Sequence, residues 1–269
     1  MIRPGLCSVT FREFAVPQVV ALAAAAGLAC IEWAGDVHVP PGDLAAARRA
    51  REATEEAGLA VASYGTYLDM EGADGALKDA TQQVLASARE LGAPRIRVWA
   101  GRTGSAEAGA QQRTAVVERL QHVCDAAAAE GIEVGLEFHG KTLTDEIGST
   151  LRLLDEVGRA NLRSYWQPHQ GMDRAEAVDT LRQVLPLAST IHVFSWWPMA
   201  ERLPLAERST LWQEVFTVLA AEGSDRDALL EFVPDDDPAL LPREAQTLRN
   251  LIAAGERNAQ DATDLGTAR

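Results

Sequence analysis

The 269-residue sequence contains little cysteine, since Cys7, Cys30 and Cys124 lie far apart and form no C-x-x-C pair. This spacing excludes a disulfide framework and a cysteine-based zinc knot, and it favours a reducing, cytoplasmic compartment. Long hydrophobic runs are also lacking. The Ala-rich stretch at 21–26 is far shorter than the roughly 20 residues that a membrane span needs, and the first residues lack the apolar run of a secretory signal.

Basic residues are scarce relative to acidic ones. The chain has 25 Lys and Arg against 39 Asp and Glu, which gives a formal net charge of −14. This charge repels phosphate backbones and anionic lipid surfaces. We therefore expect neither a nucleic-acid nor a membrane partner. A small anionic substrate is still compatible with the sequence, because one arginine in a binding pocket outweighs the repulsion from distant surface charges.

Two motifs that identify large enzyme classes are missing. The sequence has no G-x-G-x-x-G and no G-x-S-x-G. Their absence argues against a dinucleotide-binding fold and a serine nucleophile elbow.

What the chain does have is a regular alternation of short β-rich runs and longer Ala/Leu-rich stretches. Eight strand–helix units follow one another over residues 1–254, beginning with a strand at Gly5–Phe11. Units of about 30 residues are typical of parallel βαβ structure. Eight of them without a dinucleotide fingerprint predict an α/β fold, a single-domain (β/α)8 TIM barrel, rather than an open doubly wound sheet. Residues 255–269 are polar and are expected to form a loose C-terminal tail.

Polar and aromatic residues concentrate at the predicted carboxyl ends of the strands. Four of the five histidines and five of the six tryptophans lie there. Chemistry in such barrels belongs at that end, and aromatic walls with convergent polar groups suit a small, hydroxyl-rich ligand. The predicted substrate-binding residues are Trp33, His38, Arg97, Trp99, His139, Trp166, His169 and Trp196.

Four of these strand ends carry potential metal ligands. Glu137, Gln167, His192 and Glu231 follow strands 5, 6, 7 and 8 in order. Two carboxylates, one imidazole and one amide oxygen suit a borderline-hard divalent cation such as Mn²⁺, Co²⁺ or Mg²⁺. Glu137 and Glu231 are each flanked by apolar residues, and a buried carboxylate needs such a partner.

The sequence resembles the xylose isomerase-like barrel superfamily, in its sugar phosphate isomerase/epimerase branch. The segments that carry the resemblance are 26–33, 131–139, 190–193 and 229–232, and it covers nearly the whole chain up to about residue 254. In that family a divalent metal, often manganese, is held by Glu, Asp, His and Glu from strands 5 to 8. Glu137, His192 and Glu231 match the first, third and fourth ligands, whereas Gln167 replaces the acidic second one, which leaves Gln167 or His169 as the ligand there.

The resemblance implies a metal-dependent isomerase or epimerase of a sugar, keto-sugar or related polyol. Glu137 and Glu231 would then be the acid/base pair that moves a proton through an enediolate. The resemblance therefore implies a small carbohydrate substrate, and it is compatible with a homo-oligomer.

Three other functions compete with this one. A lyase would use the same chemistry to dehydrate a keto-inositol or cleave an oxidised glycoside. A catalytically silent barrel subunit would explain Gln167, and an abasic-site endonuclease conflicts with the acidic charge. Individual residues also have plainer interpretations: Glu137 and Glu231 as structural ion pairs with Arg97, His192 as a core histidine, and the tryptophans as barrel packing.

Overall fold

The computed structural model describes residues 1–267 of the chain. Within these residues the β-rich runs form eight strands: β1 (Ile2–Cys7), β2 (Cys30–Ala34), β3 (Ala60–Gly65), β4 (Arg95–Val98), β5 (Glu133–Glu137), β6 (Leu162–Trp166), β7 (Ala188–Val193) and β8 (Arg226–Leu230). Each strand is followed by a helix: α1 (Val16–Ala25), α2 (Leu44–Glu56), α3 (Asp74–Leu91), α4 (Ala110–Ala129), α5 (Ile147–Val157), α6 (Arg174–Val184), α7 (Ser209–Glu222) and α8 (Leu241–Thr267).

The strands pair in parallel, each with its neighbours in the sequence, and close into a barrel. The closure joins β1 to β8 in a register that runs from Ile2 opposite Arg226 to Leu6 opposite Leu230. A single domain with eight parallel strands and an outer layer of helices is the predicted (β/α)8 fold, which the structure confirms.

The hydrophobic core lies between the barrel and the helices. Each helix turns one apolar stripe toward the strands, as α3 does with Leu77, Val84 and Leu91, all nearly inaccessible to solvent. A glycine in the left-handed region ends α3 at Gly92, with φ of 73°, and the chain re-enters the barrel within a few residues. The short connections keep every strand end on one face of the barrel.

Side chains alternate along each strand between the barrel interior and the helix layer. On β4, Arg95 contacts Asp227 at the amino end of the barrel, whereas Arg97 contacts Glu137 at the carboxyl end. On β5, Gly135 lies between those two levels, and its inward face is covered by the ring of Tyr165. The interior is therefore layered, with a polar layer at the carboxyl ends.

The structure differs from the sequence prediction at both ends of the chain. β1 begins at Ile2 and stops at Cys7, and residues 8–11, predicted as strand, form a 3₁₀ turn. α8 continues past residue 254 to Thr267, so the expected loose segment extends the last helix, and residues 268 and 269 lie outside the described residues. Among residues 1–267, no helix has both the length and the apolar character needed to cross a membrane.

Candidate active site and metal centre

The four predicted metal ligands meet at the carboxyl end of the barrel. Glu137 ends β5, Gln167 directly follows β6, His192 lies near the end of β7, and Glu231 directly follows β8. The Nδ1 atom of His192 lies 3.2 Å from Gln167 Oε1, 3.4 Å from Glu231 Oε2 and 3.7 Å from Glu137 Oε1. The structure thus brings together the residues that sequence order places on four consecutive strands.

The two glutamates of this cluster have different surroundings. Both oxygens of Glu137 are engaged: Trp99 Nε1 donates to Oε2 at 2.5 Å and Gln167 Nε2 donates to Oε1 at 3.0 Å. Arg97 adds an ion pair, with Nη1 3.1 Å from Oε2. The side chain of Glu231 is 12% exposed, whereas that of Glu137 is 3% exposed. Glu231 is therefore the carboxylate that faces the mouth of the barrel.

Of the two candidates for the second ligand, Gln167 and not His169 lies within the cluster. Gln167 is buried between Glu137 and His192. The ring of His169 stacks on Phe138 with a centroid separation of 4.1 Å, and its Nε2 lies 2.8 Å from the carbonyl oxygen of Asp145. His169 therefore belongs to the rim, one layer above the cluster.

Two residues outside the predicted set also reach His192. Cys7 at the end of β1 and Glu32 on β2 are buried beside the ring, and Glu32 Oε1 lies 3.5 Å from Nε2. Strand alternation could have indicated Glu32: it immediately precedes Trp33, so only one of the two points inward. The sequence alone gives no comparable signal for Cys7.

The charges of the cluster stabilise one another. Burial acts to raise the pKa of Glu137, but Arg97 and His192 lower the pKa well below its ordinary range. Burial acts to lower the pKa of His192, and Cys7, Glu231 and Glu32 outweigh that effect and raise it. Burial raises the pKa of the Cys7 thiol to about 12, so the thiol is protonated at neutral pH.

The donor set fits a divalent cation. Glu137, His192 and Glu231 each offer one ligand atom, and these atoms lie within 4.8 Å of one another. The buried Glu32 and Arg97 form an ion pair with 3.7 Å between Oε1 and Nε, so their charges offset each other. The two remaining carboxylates balance a 2+ ion, and oxygen and imidazole donors suit Mn²⁺, Co²⁺ or Mg²⁺.

Arg97, Trp99 and His139 form one wall beside the cluster. The Trp99 and His139 rings stack with centroids 4.5 Å apart, and Arg97 lies 5.9 Å from the centre of the Trp99 ring. Arg97 forms ion pairs with both Glu32 and Glu137. It therefore neutralises buried carboxylates, which is one of the two roles compatible with the sequence; the other is substrate binding. A role for His139 as a substrate contact stays a prediction.

Trp33 and Trp166 lie outside the barrel interior. Each neighbours an inward-facing residue, Glu32 or Gln167, so strand alternation turns the tryptophan toward the helices. Trp33 Nε1 donates to Thr54 of α2 and Trp166 Nε1 donates to Thr180 of α6, each at 3.1 Å, and both rings are fully buried. The expectation that they line the pocket is therefore corrected: both pack between barrel and helices.

His38 and Trp196 occupy two different loops. His38 Nε2 lies 3.0 Å from the carbonyl oxygen of Phe14, and its ring contacts Trp33, so His38 anchors the loop after β2. Trp196 follows β7 and contacts Phe232, the residue after Glu231, with ring centroids 5.7 Å apart. Trp196 thus remains a candidate wall of the mouth, whereas His38 is a packing residue.

A family model described as xylose isomerase-like TIM barrel matches residues 20–251. The chain belongs to this family. The match confirms the resemblance that the strand-end motifs indicated.

Two of the matches come from Bacillus anthracis. A curated 3-dehydroshikimate dehydratase is 37% identical over 99 residues, which are 36% of this chain and 35% of that protein, so the match spans about a third of the relative. The crystal structure of the probable 3-DHS dehydratase AsbF, involved in petrobactin synthesis, is 26% identical, covers 93% of this chain and 99% of that chain, and has a TM-score of 0.77.

A structure of L-ribulose 3-epimerase has the same fold. It is 20% identical, with a TM-score of 0.71, and covers 100% of this chain and 99% of that chain. At this identity the likeness concerns the fold alone.

Proposed function

We propose that the protein is a divalent-metal-dependent lyase that removes water from a small hydroxylated cyclic ketone such as 3-dehydroshikimate. The observation that carries the proposal is the asymmetry between the two glutamates around His192: Glu137 is fully engaged and Glu231 is open to the mouth. One carboxylate that faces the mouth suits a reaction that needs a single acid/base group. The 3-dehydroshikimate dehydratases to which the chain is similar give the substrate class.

The reaction balances without a redox partner. A base removes the proton from the carbon between the ketone and the carbon that carries the leaving hydroxyl. The electron pair of that C–H bond forms a new C=C bond, the hydroxyl leaves with a proton as water, and the ring of 3-dehydroshikimate becomes aromatic after tautomerisation. A bound divalent cation would polarise the ketone and acidify the adjacent C–H.

We assign the moving proton to Glu231. Its carboxylate is partly exposed and contacts His192, so it can approach a substrate in the mouth and then deliver the proton to the leaving hydroxyl. Glu137 stays ionised because Arg97 and Trp99 hold it, and it would serve as a ligand. Gln167, His192 and Glu231 would complete the metal site, and the stacked Trp99 and His139 would orient the substrate ring.

The direct test is to incubate the purified protein with Mn²⁺ and 3-dehydroshikimate and to follow formation of the aromatic product by ultraviolet absorbance. Glu231→Gln should lower kcat by roughly 10²- to 10⁴-fold, the range typical of a lost general acid/base group. Glu133→Gln is the matched control, because Glu133 lies on β5 at the amino end of the barrel, paired with Arg95. Absence of the product with Mn²⁺, or an unchanged rate in Glu231→Gln, would overturn the proposal.

The alternative activity is epimerisation or isomerisation of a keto-sugar, which the resemblance implied. Epimerisation requires one acid/base group on each face of a carbon, and the engaged oxygens of Glu137 argue against a second one. Incubation with L-ribulose in D₂O separates the two activities. We expect no deuterium in the recovered ketose, and deuterium uptake by the native enzyme would favour the epimerase.

A further inference from the structure

His192 has a buried carboxylate on each side of its ring. Nδ1 faces the Glu137–Glu231 side, whereas Nε2 faces Glu32 Oε1 at 3.5 Å. His192 Nε2 is buried and has no hydrogen-bond partner among the side chains of residues 1–262 or the described backbone. The carboxylate of Glu32 is an acceptor in its direction.

Glu32 is held in this position by two neighbouring strands. Ser63 Oγ on β3 donates to Oε2 at 2.6 Å, and Arg97 Nε on β4 lies 3.7 Å from Oε1. Glu32 is only 2% exposed, and a carboxylate at that depth is costly unless its charge is compensated. The arrangement leaves Oε1 directed at His192, away from the mouth where a substrate would enter.

We infer that Glu32 is a positioning residue for the metal centre, which accepts the Nε2–H of His192 and so keeps the Nδ1 lone pair directed at the cation site. Metal-bound histidines generally give their second N–H to a carboxylate or carbonyl, which fixes the tautomer and the ring orientation and increases ligand basicity. The inference rests on the metal site of the proposed function but not on the reaction assigned to it.

A second cation between Cys7, Glu32 and His192 is the competing interpretation, because these three side chains also converge. One imidazole serving two cations would lose its last N–H, whereas Glu32 as acceptor requires no such change.

Co²⁺ titration followed by visible absorption tests the inference, because the d–d bands report the ligands directly and need no turnover. Glu32→Gln keeps the side-chain shape and removes the charge, and we expect 10- to 100-fold weaker Co²⁺ binding with altered bands, the usual effect of losing such a partner. Ser63→Ala removes the hydrogen bond to Glu32 but keeps the Glu32 charge, so it should weaken Co²⁺ binding less. This variant also tests the inference if Glu32→Gln does not fold.

Asp227→Asn is the matched control. Asp227 is equally buried in the barrel and paired with two arginines, Arg3 and Arg95, but at the amino end. We expect it to reduce stability while leaving Co²⁺ affinity and spectrum unchanged. The inference is overturned if the native protein takes up no Co²⁺, if both Glu32→Gln and Ser63→Ala bind as the native protein does, or if Asp227→Asn weakens binding as much as Glu32→Gln.

The proposed function can fail separately. A protein that binds Co²⁺ in a Glu32-dependent way but releases no water from 3-dehydroshikimate would retain the positioning role and lose the dehydratase. Conversely, a protein that dehydrates 3-dehydroshikimate, but whose Glu32→Gln and Ser63→Ala variants bind Co²⁺ as the native protein does, would retain the proposed function and lose the positioning role.

Discussion

At the scale of single residues, Arg97 links the two buried carboxylates of the site. Its guanidinium lies 3.1 Å from Glu137 and 3.7 Å from Glu32 and is almost inaccessible to solvent. Burial acts to lower the pKa of Arg97, but both glutamates raise it, so it stays charged. Arg97 thus stabilises the negative charge of the cluster without occupying the cation position.

We expect Arg97→Met to lower the free energy of unfolding by about 3–5 kcal/mol, because it leaves two buried carboxylates without their shared partner. Arg48→Met is the control, since Arg48 pairs with Glu90 at the surface, where solvent screens the pair and its loss should change stability little. Urea denaturation measures both variants, and equal losses would contradict this account of Arg97.

The candidate site was predictable where residue type and strand order agree. Glu137, Gln167, His192 and Glu231 each stand at a strand end, and barrel closure brings consecutive ends together. Trp33 and Trp166 were misplaced because position along a strand does not tell which face a side chain takes. That face follows from the alternation of neighbouring side chains along the strand. For Glu32 and Trp33, alternation places the Glu32 carboxylate in the barrel interior and the Trp33 ring in the helix layer.

At the scale of elements, β5 and β6 support the site through a close fit. A Cβ atom built on Gly135 would lie 2.1 Å from the ring of Tyr165, and that ring contacts His192 edge-on with centroids 5.5 Å apart. The glycine therefore sets the position of Tyr165 and, through it, one side of His192.

Gly135→Ala should destabilise the fold by about 1–3 kcal/mol, the usual cost of overpacking a tight core, and should weaken Co²⁺ binding by displacing the Tyr165 ring. In Gly148→Ala, on α5, the added Cβ meets no atom of the described residues within 4 Å, so stability should be unchanged or rise by up to about 1 kcal/mol. Thermal unfolding and Co²⁺ titration compare the two, and unaltered values for Gly135→Ala would refute the argument.

The turn between α7 and β8 carries a pH-dependent contact. Glu222 Oε2 accepts from Arg226 Nη1 at 2.6 Å, and this hydrogen bond is the main cause that lowers the pKa of Glu222 to about 2. A carboxyl group with a lowered pKa in the folded state stabilises the protein above its unfolded pKa, near 4.5, and that contribution disappears as the pH falls toward 2.

Glu222→Gln should therefore be less stable than the native protein at pH 7, with a difference that shrinks between pH 4.5 and pH 3. Urea denaturation of both proteins at several pH values measures this difference. A constant difference over that range would mean that Glu222 acts by packing and not by its charge.

At the scale of the whole molecule, the fold was the most predictable property. Eight repeats of similar length permit few arrangements other than a closed barrel. The ends of the chain were less predictable, since local pattern does not show that β8 pairs with Ile2 or that a polar segment continues α8. The pairing of β1 with β8 depends on tertiary contacts, and the extension of α8 depends on helix propagation. Neither is marked by an apolar stripe in the sequence.

A cation that joins β5, β7 and β8 should stabilise the barrel as a unit. At a free Mn²⁺ concentration 100 times its dissociation constant we expect about 2.7 kcal/mol of added stability, because the cation binds only the folded chain. Differential scanning calorimetry should show a higher Tm with Mn²⁺, reversed by EDTA, and no rise for Glu137→Gln combined with Glu231→Gln. An equal rise in that double variant would place the cation elsewhere.

The pairing of β1 with β8 also orders events during synthesis. Arg3 binds Asp227, 224 residues later in the chain, so the barrel cannot close until β8 has left the ribosome. Such distant contacts form late in folding. His192 and Glu231 emerge last as well, so a nascent chain carries Glu32, Arg97 and Glu137 for some time without the residues that complete the centre. The residues of the proposed cation site are thus complete only when the whole barrel is available.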